Sequence, residues 1–310
     1  MNSELLNPLN SLTLYKYTNF LSYLITLYNE KKFPKVSLIT GPKGIGKFTT
    51  VNHFINYIFD KESYDKNNQM IDPNSQVFKQ IINQTFPNVI FLSGDDNKVK
   101  VDDIRLLKSI LNKSTINNKP RFIIFDDVEK FNINSLNALL KIIEEPSNNN
   151  FFILINNQER KLLETIKSRC LETSIFLKNE DRIDVIKQII RSNELVETLD
   201  YLTSNITPGN FVRFNKICND HDVLNNNNYE AQIDLLIKLY KKHKNNIFLQ
   251  LAIYLTNNHF YFMSKKNSKK INELNEKKVK IIKNINDLTI YNLSLYSVTN
   301  TINKLLNNEQ

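Results

Sequence analysis

The feature that most constrains this chain is a short apolar run that ends in a glycine-punctuated loop. Val36-Ser37-Leu38-Ile39-Thr40 leads directly into Gly41-Pro42-Lys43-Gly44-Ile45-Gly46-Lys47. A β-branched and apolar run closed by glycines reads as a buried strand. After Lys47, the residues Phe48, Val51, Phe54, Ile55 and Ile58 recur at helical spacing. Strand, glycine loop and helix in that order form a phosphate-binding loop. Gly41, Gly44 and Gly46 let consecutive backbone N–H groups curl around anionic oxygens, the helix start adds its positive dipole end, and Lys47 supplies a point charge. The residue after such a lysine is usually Ser or Thr, whose hydroxyl ligates magnesium. Here it is Phe48. Thr49 is turned about 100° further round the helix and does not substitute for it.

Further strands are predicted at 88–92, 121–125 and 151–156, with helices at 101–113 and 134–144 between them. Residues 175–177 read as one last strand and 180–191 as a helix. Alternating strands and helices predict an α/β fold with a parallel sheet covered by helices on both faces. Beyond it the character changes. Ile233, Leu236, Ile237 and Tyr240, then Leu249, Ile253 and Tyr254, recur at helical spacing with no strand-like alternation. The polar run Asn225-Asn226-Asn227-Asn228 is the linker candidate. The division expected is 1–177 for the α/β domain, 178–222 for a small helical domain and 223–310 for a helical bundle. Residues 265–283 carry many lysines, and such a face is usually simply solvated.

Composition excludes several classes. With 310 residues, 41% hydrophobic and 24% charged, the chain can bury a core and is not disordered throughout. No stretch approaches the roughly 20 apolar residues of a membrane span. The first residues lack the basic start and apolar core of a signal peptide, so a cytoplasmic location is expected, with no membrane partner. Two cysteines, Cys170 and Cys218, and four scattered histidines offer no paired ligands, so no zinc site is expected. The net charge of +9 favours polyanionic partners. A chain rich in Asn, Lys and Ile also acquires such an excess from coding bias, so charge alone assigns no partner.

A second chemical element is Phe122-Ile123-Ile124-Phe125-Asp126-Asp127. An apolar strand ending in an acid places a carboxylate where it can hold a magnesium hydration shell. Around these two elements the sequence resembles bacterial DNA clamp-loader subunits of the AAA+ class. Asn137-Ala138-Leu139-Leu140-Lys141-Ile142-Ile143-Glu144-Glu145-Pro146 resembles the segment after their acidic strand. Residues 151–157, the stretch 162–170 closing in Ser168-Arg169-Cys170, Phe33-Pro34-Lys35, and Lys100-Val101-Asp102-Asp103-Ile104-Arg105 match in the family's order. The second half of the chain matches in helical character only.

The resemblance implies an AAA+ P-loop domain, a small helical lid and a C-terminal helical collar. It implies that Arg169 is an arginine finger, projecting across a subunit boundary to phosphates bound by a neighbour. A guanidinium suits that role because it is permanently charged and presents a planar fork. Asn157 stands where related motor subunits carry a polar residue at a strand end. Pro208-Gly209-Asn210-Phe211-Val212-Arg213 resembles the segment holding a second nucleotide-sensing arginine, with Arg213 one position out of register.

Motor (tau/gamma) subunits of this family keep Ser or Thr after the lysine, Asp-Glu after the acidic strand, a four-cysteine zinc module and, in tau, a long C-terminal extension. This chain has Phe48, Asp127 and no cysteine between Lys47 and Asp126. These departures point to the delta-prime subunit of a DNA polymerase III clamp loader, with Gly41, Gly44, Gly46, Lys47, Asp126 and Asp127 as a degenerate nucleotide site. ATP with magnesium could still enter that site; hydrolysis is not expected. The partners implied are motor and delta subunits in a hetero-pentamer, the sliding clamp and primer-template DNA. Two other readings stay open: an ATP-hydrolysing motor subunit or other AAA+ ATPase, and a nucleotide-binding regulator unconnected with replication.

Overall fold

The structure is a computed structural model that describes residues 7–94, 99–111, 113, 119–147, 149–226, 228–291 and 295–307. Asn112 of the expected 101–113 helix and Asn227 of the expected linker lie outside the described residues. The chain divides into two compact units, one of Met1–Ser192 with Thr207–Asn210 and one of Asn193–Ile206 with Phe211–Gln310.

In the first unit the elements run α1 (Thr18–Asn29), β1 (Val36–Thr40), α2 (Lys47–Phe59), a hairpin of β2 (Tyr64–Asp65) and β3 (Met70–Ile71), α3 (Gln76–Ile82), β4 (Val89–Ser93), α4 (Val101–Leu111), β5 (Arg121–Asp126), α5 (Ile133–Ile143), β6 (Asn150–Asn156), α6 (Glu164–Lys167), β7 (Leu171–Ser174) and α7 (Asn179–Asn193). Five strands form one parallel sheet in the order β4-β5-β6-β1-β7. Successive side chains of a strand face opposite sides, and the burial follows that rule. Ile39, Phe122, Ile124, Ile153 and Ile155 pack with Phe54 and Ile55 of α2 on one face. Leu38, Ile123, Phe125, Phe152 and Leu154 pack with Ile104 of α4 and Leu139 of α5 on the other. Covered on both faces, the central strands β5, β6 and β1 read as continuous apolar runs, and the sequence pattern locates β5 and β6 within a residue and β1 without error. The start of α5 is fixed by Asn132, whose Oδ1 accepts from the Ser135 N–H at 2.9 Å.

The last strand differs from expectation. It is Leu171–Ser174, not 175–177. Ser37 lies opposite Leu171 and Thr40 opposite Ser174, and the Ile175 N–H only closes the ladder by donating to the Thr40 carbonyl. An edge strand pairs on one side and is largely exposed here, so it needs no apolar run. Its Glu172 instead accepts a hydrogen bond from the Thr40 hydroxyl at 2.8 Å.

The second unit is helical. Helix α8 (Pro208–His221) starts within the first unit and continues into the second. It is followed by α9 (Tyr229–His243), α10 (Ile247–Lys266), α11 (Ile271–Ile290) and α12 (Leu295–Asn307). Helix α10 packs against α9 and α11, and α12 against both of those as well. Ile233, Leu236, Leu251, Ala252, Ile281 and Ile285 are sealed from solvent. No described helix is long and apolar enough to cross a membrane.

His53 of α2 is buried in the first unit. Its Nδ1 lies 2.9 Å from the Tyr64 hydroxyl and its Nε2 3.1 Å from the Ser11 carbonyl. Burial pushes its pKa down to about 4. The neutral ring therefore contributes stability that is complete above pH 6.5 and is lost as pH falls towards 4. At about 1.4 kcal/mol for each pH unit between those values, the unmodified chain should lose about 3 kcal/mol relative to His53→Gln between pH 7 and pH 4. Urea titrations at the two pH values check this.

Candidate functional site

The glycine loop leaves the C-terminal end of β1 and turns into α2. Two of its residues need the left-handed region, Gly44 at φ 82° and Gly46 at φ 105°, which glycine alone enters without cost. Gly44 is also in close contact. A Cβ there would lie 2.6 Å from the Thr207 hydroxyl oxygen and 2.9 Å from the Asn210 backbone nitrogen. The segment Thr207–Asn210 belongs to the first unit and is tied to the loop by the Gly209 N–H donating to the Gly44 carbonyl and the Thr207 hydroxyl donating to the Lys43 carbonyl, each at 2.8 Å.

Lys47 does not project into an open phosphate cradle. Its ammonium donates to the carbonyls of Gly41 at 2.6 Å and Pro42 at 2.7 Å, and the residue is buried. Burial pulls its pKa down to about 8, against the opposing pull of Asp126, Glu129 and Asp127. Phe48, at the magnesium-hydroxyl position, packs against the apolar layer of α1 to α3, its ring 5.6 Å from that of Phe91 in β4. Thr49 stands one position on. Thr50 turns its hydroxyl back to the Gly46 carbonyl at 2.9 Å.

Opposite the loop, the end of β5 is filled by an ion network. Asp127 adopts φ 52°, and its side chain is 1% exposed. Its carboxylate receives Lys43 at 3.0 Å, Lys130 at 3.5 Å and the Asn157 amide at 2.8 Å. Lys130 also meets Glu159 at 2.5 Å, and Lys43 lies 3.7 Å from the same carboxylate. Asp126 accepts from the Asp127 N–H and from the Asn157 amide; burial, then the neighbouring Asp127 charge, push its pKa up to about 6. Glu129 accepts from the N–H groups of Asn157 and Glu159 at 3.1 and 3.3 Å, which shapes the loop after β6, and burial raises its pKa.

Sequence placed Gly41, Gly44, Gly46, Lys47, Asp126 and Asp127 in this region, and the fold brings them together with Asn157. It missed Lys43, Glu129, Lys130 and Glu159. Oxygens of Asp127, Glu129 and Glu159 lie within 4.8 Å of one another, a donor set that suits a hard cation, but Lys43 and Lys130 already engage the Asp127 and Glu159 carboxylates. A magnesium–nucleotide complex poised for hydrolysis does not fit this arrangement. The hydroxyl ligand is an aromatic ring, the acid is held by two ammonium groups, and the loop lysine is spent on its own carbonyls.

Arg169 is elsewhere. It precedes β7, whose four paired residues place it on the order of 15 Å from the level of Gly41, at the opposite end of the sheet. It is exposed, with Nε and Nη2 each 2.9 Å from one carboxylate oxygen of Glu144 and Nη1 donating to the Thr165 carbonyl. Arg213 lies on α8 within the second unit. Cys170 and Cys218 are free thiols, each pushed up to about 12 chiefly by burial.

Residues 16–179 match a family profile described as DNA polymerase III, delta subunit. The DNA polymerase III subunit delta' of Buchnera aphidicola subsp. Schizaphis graminum is 29% identical over 177 residues, 54% of this chain and 53% of that one. The DNA polymerase III subunit gamma of Buchnera aphidicola subsp. Acyrthosiphon pisum is 29% identical over 166 residues, 53% of this chain and 44% of that one. The DNA polymerase III subunit tau of Bacillus subtilis is 31% identical over 143 residues, 46% of this chain and 24% of that one. The chain thus spans about half the length, or less, of the curated relatives it matches.

The ion network makes a stability prediction. Asp127→Asn keeps a residue type tolerant of positive φ but leaves two nearly buried ammonium groups short of charge. Breaking such a pair should lower the unfolding free energy by about 3 kcal/mol, measured in urea. The exposed Asp102→Asn should change it by less than about 0.5 kcal/mol.

Proposed function

Since the chain belongs to the clamp-loader family that this profile describes, with delta-prime subunits among its relatives, we propose that it is the delta-prime-type subunit of a bacterial DNA polymerase III clamp loader. In this reading it supplies Arg169 in trans to the ATP site of a neighbouring motor subunit. Its partners are the motor (tau/gamma) and delta subunits, the sliding clamp and primer-template DNA, and its C-terminal helices serve as lid and collar.

One observation carries the reading: the two halves of a phosphoryl-transfer site are separated in this chain. Its own loop is closed by Lys47 and faced by the Lys43–Asp127 pair, while Arg169 stands exposed at the other end of the sheet. An arginine that distant is not placed to reach a phosphate on its own loop, which supports a role at a phosphate brought by another subunit. Its present partner, Glu144, is a surface pair, typically worth about 0–1 kcal/mol, so release towards a phosphate costs little. A phosphate offers the guanidinium a bidentate partner of higher charge. Through such contacts a finger stabilises the charge that develops in transfer, by roughly a thousandfold or more at the site it serves.

The gamma and tau relatives favour a second reading, a subunit that turns over ATP itself. Phe48 and the neutralised Asp127 weigh against it.

In a loader reconstituted from all its subunits, Arg169→Ala should leave assembly intact and lower clamp- and DNA-stimulated ATP hydrolysis. Arg169→Lys should restore little, because an ammonium lacks the planar fork. Phosphate release by the assembled complex measures both. Unchanged hydrolysis in Arg169→Ala would remove the finger assignment.

A further inference from the structure

The corner between α10 and α11 concentrates positive charge. Lys265-Lys266-Asn267-Ser268-Lys269-Lys270 carries four lysines and no acid in six residues, and all four lysines are exposed. Two other lysines of this unit are compensated four residues away along a helix. Lys238 pairs with Asp234 at 2.5 Å and Lys277 with Glu273 at 3.3 Å. At the corner the equivalent places are filled differently. Four residues before Lys265 and Lys266 stand Tyr261 and Phe262, and Glu273, four after Lys269, is taken by Lys277. Lys266, Lys269 and Lys270 have no ion pair among the described residues.

The two aromatic residues are exposed as well, Tyr261 by 46% and Phe262 by 44%, although apolar burial would favour turning them inward. Their rings meet edge to face at 5.6 Å, and the Lys265 ammonium sits 4.7 Å from the Tyr261 ring centroid. Ammonium groups and ring surface are therefore presented together on one corner. A solvated face mixes charge signs, whereas this one is of a single sign with flat apolar surface beside it.

We propose that this corner binds single-stranded nucleic acid, the four lysines meeting successive phosphates and the Tyr261–Phe262 pair offering a stacking surface to a base. Single-strand binding sites combine these two elements, a positive track for the backbone and aromatic rings for the bases. An anionic lipid surface would be met by the lysines but has no base to stack. The assignment rests on residues of the second unit alone and adds a surface to the loader reading without depending on it.

The test uses the full chain and a fluorescently labelled 20-nucleotide oligo-dT, read by anisotropy across a salt series. Binding should weaken steeply with salt. Changing Lys265, Lys266, Lys269 and Lys270 together to Ser should weaken it at least about tenfold at low salt. The log–log salt slope should shrink by about 3, since each single-strand phosphate contact contributes about 0.7. The same change at Lys31, Lys61, Lys66 and Lys79, exposed lysines of the first unit, should leave affinity within about twofold. Tyr261→Leu should weaken oligo-dT binding by about fivefold or more while leaving binding of inorganic polyphosphate unchanged. The proposal is overturned by no binding at low salt, by equal losses from the two lysine sets, or by binding to phosphatidylserine vesicles without binding to oligo-dT. A chain that assembles with loader subunits yet ignores oligo-dT removes only this proposal. One that binds oligo-dT yet does not assemble removes only the loader reading.

Discussion

A carboxylate that is 1% exposed, that of Asp127, is held between the ammonium groups of Lys43 and Lys130 at the end of β5. An unpaired charge at that depth costs several kcal/mol, so the surrounding chain is committed to supplying partners. Lys43 is drawn across from the glycine loop, Lys130 from the turn after the strand, and the Asn157 amide from the end of β6. Three segments are thereby bound to one point. The left-handed backbone at Asp127 is held in place by these same contacts. Lys47, with its neighbour so engaged, closes on the carbonyls of its own loop.

Side-chain length decides much of this. A glutamate at position 127 would carry its carboxylate one methylene further from the backbone. Aspartate keeps the charge back, within reach of Lys43. Phe48 acts in the same direction, exchanging a magnesium ligand for aromatic packing on Phe91. The loop keeps its phosphate-cradle backbone, with Gly44 and Gly46 at positive φ, while its charged groups are satisfied from within.

The central sheet and the glycine loop were legible in the sequence because each leaves a local mark. Strands buried on both faces appear as apolar runs such as Val36–Thr40, and a loop that needs positive φ appears as spaced glycines. Strand β7 was misplaced because an edge strand with Glu172 and Thr173 carries no such mark. The ion network was not legible for a different reason. Lys43 and Asp127 are 84 residues apart, and nothing local to either marks the other as its partner. The Pro208–Arg213 segment was half legible: sequence drew attention to Arg213, whereas the contact with the loop is made by Thr207, Gly209 and Asn210.

In the proposed reading this is a P-loop chain whose own site is closed and whose exposed arginine serves another subunit's reaction. The closed site is the part most exposed to direct measurement. Calorimetric titration of the purified chain with ATP, with and without magnesium, tests it. The ion network predicts weak binding, in the millimolar range or absent, unchanged by magnesium and unchanged in Lys47→Ala. Micromolar binding that requires magnesium and disappears in Lys47→Ala would contradict it.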